Sequence, residues 1–355
     1  MRDKHGIRLA ELTTLRVGGP AARMIEVDTE AELIDAVRQC DRRSEPVLVL
    51  GGGSNLVVAD DGFGGTVVRV MTRGVEVDDS ASCEADDLAA CGGINVTVAA
   101  GEPWDELVQR AVAEQWVGIE ALSGIPGAVG ATPMQNVGAY GQEVAQTIWN
   151  VRTYDRVDER VRTFANAECG FEYRQSRFKG SERYVILSVS YQLRQGSLGA
   201  PVAYAELART LGVGLGERAP LGDVRDAVLK LRRGKGMVLD HEDHDTWSAG
   251  SFFTNPVLEP DAAARLPVDA PRWPQADGRV KTSAAWLIEH AGFGRGFRGD
   301  RAGVSLSTKH TLAVTNRGDA RAADVLGLAR EVRDGVLAAF GVRLVNEPVL
   351  VGCAL

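Results

Sequence analysis

Helix-period apolar stripes alternate with short apolar runs along the whole chain. Thr29-Glu30-Ala31-Glu32 has the form of a capping box, and Leu33, Val37 and Cys40 then share one face, which predicts a helix. Residues 46–50 read as a short buried strand that stops at Gly51, and 65–70 as another. Residues 74–100 read as strands around an acidic loop, 78–87. Pro103 suits the first turn of a helix whose stripe is Trp104, Leu107, Val108, Ala111 and Val112. Strand-like runs follow at 148–154 and 184–193. Residues 194–220 are Gly-rich and irregular, a linker or lid. Asp223 then suits the cap of a helix carrying Val224, Ala227, Val228 and Leu231. Two more helices are predicted, over 283–290 and over Ala322–Phe340, the latter stopped by Gly341. The class is mixed α and β.

Composition changes this picture at one point. The 355 residues are ordinary in hydrophobic and charged content, but glycine, at 41, is in surplus while proline is only 13. A chain of this length predicts two or three domains with a core that needs no staples. The net charge of −8 and the lack of a basic run exclude a nucleic-acid backbone as partner. Five scattered cysteines without a CxxC point to idle thiols in a reducing cytoplasm. No apolar run follows the N-terminal residues, so no signal peptide is expected. The longest uncharged stretch, 121–142, is full of Gly, Pro, Gln and Asn and does not suit a membrane helix.

The glycines concentrate where chemistry is most plausible. Gly51-Gly52-Gly53-Ser54-Asn55 follows a strand and offers backbone N–H groups at close approach, which suits a phosphate. It is neither the Rossmann GxGxxG nor a P-loop, and alone it reads as a tight turn. Gly124-Ile125-Pro126-Gly127-Ala128-Val129-Gly130-Ala131-Thr132-Pro133 runs on into Gln135-Asn136-Val137-Gly138-Ala139-Tyr140-Gly141. An uncharged loop with this many amide and hydroxyl side chains suits the wrapping of a polar cofactor. In Gly250-Ser251-Phe252-Phe253 the serine is a nucleophile, an acid or a turn residue, and no GxSxG elbow surrounds it. Arg174, in Phe171-Glu172-Tyr173-Arg174, is a surface cation or a buried anchor for a carboxylate or phosphate. Asp240-His241-Glu242-Asp243-His244-Asp245 matches no metal-ligand spacing and reads as a solvated acidic loop, so no metal is expected.

Taken in order, these segments resemble the UDP-N-acetylenolpyruvoylglucosamine reductase family. The matching stations are Gly51 to Asn55, Ile125-Pro126-Gly127, Gln135 to Gly141, Tyr173-Arg174, Gly250 to Phe253, Pro274-Gln275-Ala276-Asp277-Gly278, Lys281 with Ala285-Trp286-Leu287-Ile288, and Glu347. They span nearly the whole chain, and the ordered set is far more specific than any member. The resemblance implies an α+β fold: an FAD-binding domain of the PCMH/vanillyl-alcohol-oxidase type in two lobes, plus a smaller α+β substrate-binding domain. The expected boundaries are 1–73 for the first lobe (with 344–355 packing on it), 74–221 for the second, and 222–343 for the substrate domain.

The resemblance further implies NADPH-dependent reduction of the enolpyruvyl ether of UDP-N-acetylglucosamine to UDP-N-acetylmuramate, through FAD, in peptidoglycan precursor synthesis. It implies catalytic roles for Arg174, Ser251 and Glu347, with Arg174 facing developing negative charge and Ser251 giving a proton to C2. FAD is expected at Gly51, Gly52, Gly53, Ser54, Asn55, Gly124, Ile125, Pro126, Gly127, Gly130, Ala131, Thr132, Asn136 and Gly138. The UDP-sugar is expected at Tyr140, Tyr173, Tyr204, Lys235, Asn255, Gln275 and Lys281, with Tyr204 marking the subtype that has a tyrosine lid loop. Thr254 departs from the family's common lysine, and Asn346-Glu347-Pro348 from the more frequent Glu-Pro-Glu. A cytoplasmic monomer without membrane insertion is expected.

Two rival readings fit the residues less well. An oxidase on the same scaffold often attaches FAD through His or Cys, and 50–56 and 124–141 contain neither, so FAD is expected to be non-covalent. A non-catalytic nucleotide-sugar-binding protein would not need Arg174, Ser251 and Glu347 together.

Overall fold

The structure is a computed structural model and describes residues 1–78 and 93–355. Of the acidic loop expected at 78–87, residues 79–87 lie outside the described residues, as do Cys83 and Cys91. Two compact units emerge: one of residues 1–5, 23–52 and 64–233, the other of 6–22, 53–63 and 234–355.

Among the described residues the first unit holds a four-stranded sheet, a larger sheet, the short pair Gly138–Ala139 with Gln142–Glu143, and four helices. Its four-stranded sheet orders Arg2–Lys4, Ala21–Val27, Phe63–Val70 and Val47–Leu50, with the last two parallel. The larger sheet is antiparallel and centres on the twelve-residue strand Tyr184–Gln195. That strand pairs with Ile148–Asp155 on one side and Ile94–Ala99 on the other, with Arg160–Ala165 and Val75–Asp78 outermost. Burial along Ile94–Ala99 alternates with period two, as a half-covered sheet requires.

Helix α1 (Glu30–Arg42) buries Leu33, Ala36, Val37 and Cys40. Its start is half of a capping box: the Thr29 hydroxyl accepts from the Glu32 amide, but Glu32 reaches back to the amide of Asp28, one residue earlier than expected. Helix α2 (Trp104–Ala113) begins after Pro103, which takes the cap position itself. Helix α3 (Ala205–Leu211) interrupts the segment expected to be irregular, and Gly212 ends it at φ +71°. Helix α4 (Leu221–Gly234) starts two residues before Asp223, placing that carboxylate in the first turn instead of at the cap.

The second unit is built from short elements around α5 (Pro260–Ala264), α6 (Ala284–His290) and α7 (Ala322–Phe340). Ser283 caps α6 through the Trp286 amide, and Gly341 ends α7 at φ +69°. The apolar stripe of α7 (Val325, Leu328, Ala329, Val332, Val336) is fully buried against Leu287, Ile288, Val304 and Leu306. A parallel pair joins Leu56–Val58 to Val349–Val351. Among the described residues no helix is long and apolar enough to cross a membrane.

Candidate active site

In the first unit the strand Val47–Leu50 delivers Gly51 and Gly52 against the turn at Gly127-Ala128. A Cβ on Gly52 would sit 2.5 Å from the Gly127 Cα, and one on Gly51 would stand 3.4 Å from the Ala128 Cβ. Two main chains therefore meet without side chains between them, which is the kind of cradle a dinucleotide needs. Gly124 and Gly127 have φ of +72° and +121°, which only glycine adopts cheaply. Past the turn, the amides of Val129, Gly130, Ala131 and Thr132 donate to Glu102, Ala100, Ala128 and Val129 and are engaged within the chain. The residues present fit a flavin dinucleotide in that bare backbone and uncharged polar groups dominate here.

A second cluster in this unit gathers Asn136, Gly138, Tyr140, Tyr173 and Arg174. Asn136, Tyr140 and Arg174 all have positive φ (+47°, +49° and +53°), a concentration of strain typical of functional sites. The Arg174 guanidinium donates to the carbonyls of Gly138 (2.7 Å) and Asn136 (3.4 Å) and lies over the Tyr173 ring. Buried Asn136 donates to Glu143 and to the Glu172 carbonyl and accepts from the Ala145 amide. The Tyr140 ring meets that of Tyr204 edge-on, with centroids 5.5 Å apart. Burial pushes the Tyr140 hydroxyl up to about 12, opposed by the nearby charge of Arg232.

Several residues of this region escape sequence reasoning. Arg232, in the last turn of α4, keeps part of its surface accessible, yet its Nε is wholly buried. Burial pushes its guanidinium down to about 10, while Tyr140 and Asp105 pull the other way. Asp105 on α2 accepts the Gly124 amide and an Arg225 fork. Glu120 is buried at 1% exposure just before the Gly124 turn. The only signal in the sequence is that these charges fall on apolar faces or inside uncharged loops.

The second unit assembles Ser251, Glu347 and Asn55. The Glu347 amide donates to the Phe252 carbonyl (2.8 Å), Phe253 bridges to Asn346, and the Thr254 amide donates to Val345. On the other side the Phe252 amide donates to the Leu312 carbonyl, so the Ser251-Phe252 segment is held from two directions. Asn55 donates its side-chain amide to the Glu347 carbonyl and accepts the Val349 amide through its own carbonyl. Gly53, at φ +63°, leaves no room for a Cβ, which would fall 1.9 Å from the Leu12 carbonyl oxygen, and Ser54 follows it. Asn255 accepts the first amide of α6, and Lys281 sits opposite Val257 in the sheet of Val257–Leu258, Val280–Thr282 and Arg272–Pro274. Gln275 occupies the turn of that sheet and donates to the Trp273 carbonyl. Lys235 directly follows α4, half-buried.

The acidic run at 240–245 is exposed at Asp240, His241 and Glu242, and departs from a solvated loop at its last residue. Asp245 is buried and accepts from the amide and hydroxyl of Thr308 and from Arg317. Burial works against its charge, but these donors hold its carboxyl below the usual range. Among the described residues no three His, Cys, Asp or Glu side chains gather as a metal site.

Family models match two parts of the chain: an FAD binding domain over residues 21–163, and the C-terminal domain of UDP-N-acetylenolpyruvoylglucosamine reductase over 241–351. The chain is 56% identical to UDP-N-acetylenolpyruvoylglucosamine reductase of Cutibacterium acnes, covering 98% of this chain and 90% of that one. It is 55% identical to the protein of the same name from Thermobifida fusca, covering 99% and 98%. The crystal structure of that reductase from Thermus caldophilus superposes with a TM-score of 0.66 at 26% identity, covering 99% of both chains.

Proposed function

The chain belongs to the UDP-N-acetylenolpyruvoylglucosamine reductase family, and on that premise we propose how its own residues carry the reaction. It is an FAD-dependent oxidoreductase with a PCMH/vanillyl-alcohol-oxidase-type FAD-binding fold. It uses NADPH to reduce UDP-N-acetylglucosamine enolpyruvate to UDP-N-acetylmuramate in peptidoglycan synthesis. The full-length match to the Cutibacterium reductase carries this reading.

Bound FAD supplies a two-electron relay between NADPH and the enolpyruvyl double bond. We assign its holding to Gly51, Gly52, Gly53, Ser54, Asn55 and the loop from Gly124 to Thr132, together with Asn136 and Gly138. Reduction at the enolpyruvyl C3 moves negative charge onto C2 and the adjoining carboxylate. In our reading Arg174 faces that charge; its strained backbone and two carbonyl bonds fix it in advance, which leaves little reorganisation for the reaction itself. Ser251 and Glu347 handle the proton that C2 requires, and the backbone ladder between their segments sets their spacing. Tyr140, Tyr173, Tyr204, Lys235, Asn255, Gln275 and Lys281 hold the UDP-sugar, the lysines matching its diphosphate by charge.

We further propose FAD-binding lobes at 1–73 (with 344–355 against it) and 74–221, a substrate-binding domain at 222–343, and action as a cytoplasmic monomer. The test of the reaction is a product assay. NADPH consumption should require the enolpyruvyl UDP-sugar and yield its lactyl ether, and denaturation should release free FAD. Consumption without lactyl product, balanced by oxygen uptake, would identify an oxidase instead.

A further inference from the structure

The segment bearing Tyr204 is a loop on a stem. Gly199 donates its amide to the Ala219 carbonyl, Val202 to Glu217, and Leu221 to Ser197, so two chain runs close side by side beneath α3. The turn bearing Tyr140 comes from elsewhere in the chain, and so does the turn leading to Gly124. One buried side chain joins all three. Glu120 accepts the Ala200 amide (2.6 Å) and the Gln142 side-chain amide (2.9 Å) on Oε1, and the Gly118 amide (2.7 Å) on Oε2. Gln142 in turn accepts the Ala121 amide, which locks its orientation. The stem passes so near that a Cβ on Gly199 would lie 2.9 Å from the Glu120 Oε1.

All three neighbours of this carboxyl are donors. A carboxylate offers acceptors only and satisfies every one of them, whereas a carboxamide must turn its NH2 toward at least one N–H. A purely structural plug in an apolar core would not require this. The arrangement makes the stem of one loop and the turn of another register on a single group.

We infer that Glu120 is a positioning residue that fixes the stem of the Tyr204 loop against the Tyr140 turn and so sets how tightly the nucleotide-sugar is held. This rests on the reading of Tyr140 and Tyr204 as substrate contacts. Every partner named for the Glu120 carboxyl is a protein donor, so its proposed action runs through the two loops.

The test is Glu120→Gln in the FAD-loaded enzyme. The KM for the enolpyruvyl UDP-sugar should rise about tenfold, as expected for one buried donor left facing another donor. The Kd of UDP-N-acetylmuramate for the oxidised enzyme, read from the perturbed flavin absorbance, should rise by the same factor. The rate of flavin reduction by NADPH, the FAD content and the visible spectrum should stay unchanged. In a Tyr204→Ala background, Glu120→Gln should add less than about twofold, because both changes act through one loop. Unchanged KM and Kd, or full additivity with Tyr204→Ala, overturns the inference. If Glu120→Gln does not fold, Gly199→Ala decides: it pushes the stem off an intact carboxylate and should raise KM likewise, and no rise overturns the inference. Tyr204→Ala without effect on KM would instead refute the underlying substrate assignment.

Discussion

Arg225 grips Asp105 through both carboxylate oxygens, at 2.8 and 2.9 Å, while Asp105 accepts the Gly124 amide at 2.6 Å. The same guanidinium donates to the Ser123 hydroxyl. Helix α4 thus holds the entry to the proposed flavin loop. Burial works against the Asp105 charge, but Arg225 and the Gly124 amide more than offset it and hold the carboxyl below its ordinary value. Arg225→Met should cost about 1 kcal/mol of stability, modest because Asp105 remains partly in water. The sign of the pH effect follows. The wild-type advantage is complete above an unfolded carboxylate pKa of about 3.9 and is lost as pH falls through the lower folded value. Urea melts of both proteins from neutral to acid pH should therefore converge at the acid end; a constant gap would show that Asp105 is not the group involved.

Gly52→Ala addresses the cradle directly. Its Cβ would meet the Gly127 backbone at 2.5 Å, and main chain yields less readily than a flexible side chain. The two turns must separate, at a cost of about 1–3 kcal/mol. FAD content after purification should fall and the flavin Kd should rise, with far-UV circular dichroism unchanged. Gly64→Ala, where a Cβ meets nothing within 4 Å, is the matched control and should retain its flavin.

How legible was this in the sequence? Strong periodicity translated well: Ala322–Phe340 and Glu30–Arg42 are helices over almost the stretches that their stripes and stop signals indicate. Ends were less legible, because caps depend on where the preceding chain goes; Asp223 could cap by type, but the helix starts at Leu221. The short α3 gave no stripe long enough to stand out from its Gly-rich flanks. In the site, uncharged glycine loops announced themselves by composition. The charges did not: buried Glu120, half-buried Asp105 and Arg232 with its covered Nε are told from surface residues only by the partners the fold brings to them. The same blindness made Asp245 read as solvated.

Glu26 supplies a stability switch in the four-stranded sheet. Its side chain is only 6% exposed and faces Lys4 (2.9 Å), Arg2 (3.1 Å) and Arg69 (3.0 Å). The bond from Lys4, against the cost of burial and with help from Arg2 and Arg69, lowers its carboxyl to about 2. Since the folded value is depressed, the stabilisation is full above the unfolded value of about 4.3 and disappears as pH falls toward the folded one. Discounted for its solvent-exposed partners, it is about 2 kcal/mol. Glu26→Gln should lose about that much in a denaturant titration at pH 7 and almost nothing near pH 2. A loss independent of pH would assign the effect to packing.

Ser251→Ala separates chemistry from architecture. The serine follows Gly250, at φ +76°, and precedes Phe252, whose amide and carbonyl are both engaged, to Leu312 and Glu347. Its backbone is thus held by its neighbours, and removing the hydroxyl should leave the segment in place. Flavin reduction by NADPH needs no proton at C2 and should proceed at the wild-type rate. Reoxidation by the enolpyruvyl UDP-sugar does need one and should slow by about 10²- to 10⁴-fold, the usual worth of a positioned proton donor. Stopped-flow absorbance of the flavin follows each half-reaction by itself. Equal slowing of both would mean that Ser251 supports the fold around the flavin and that the proton comes from another group, with Glu347 the next to test by Glu347→Gln.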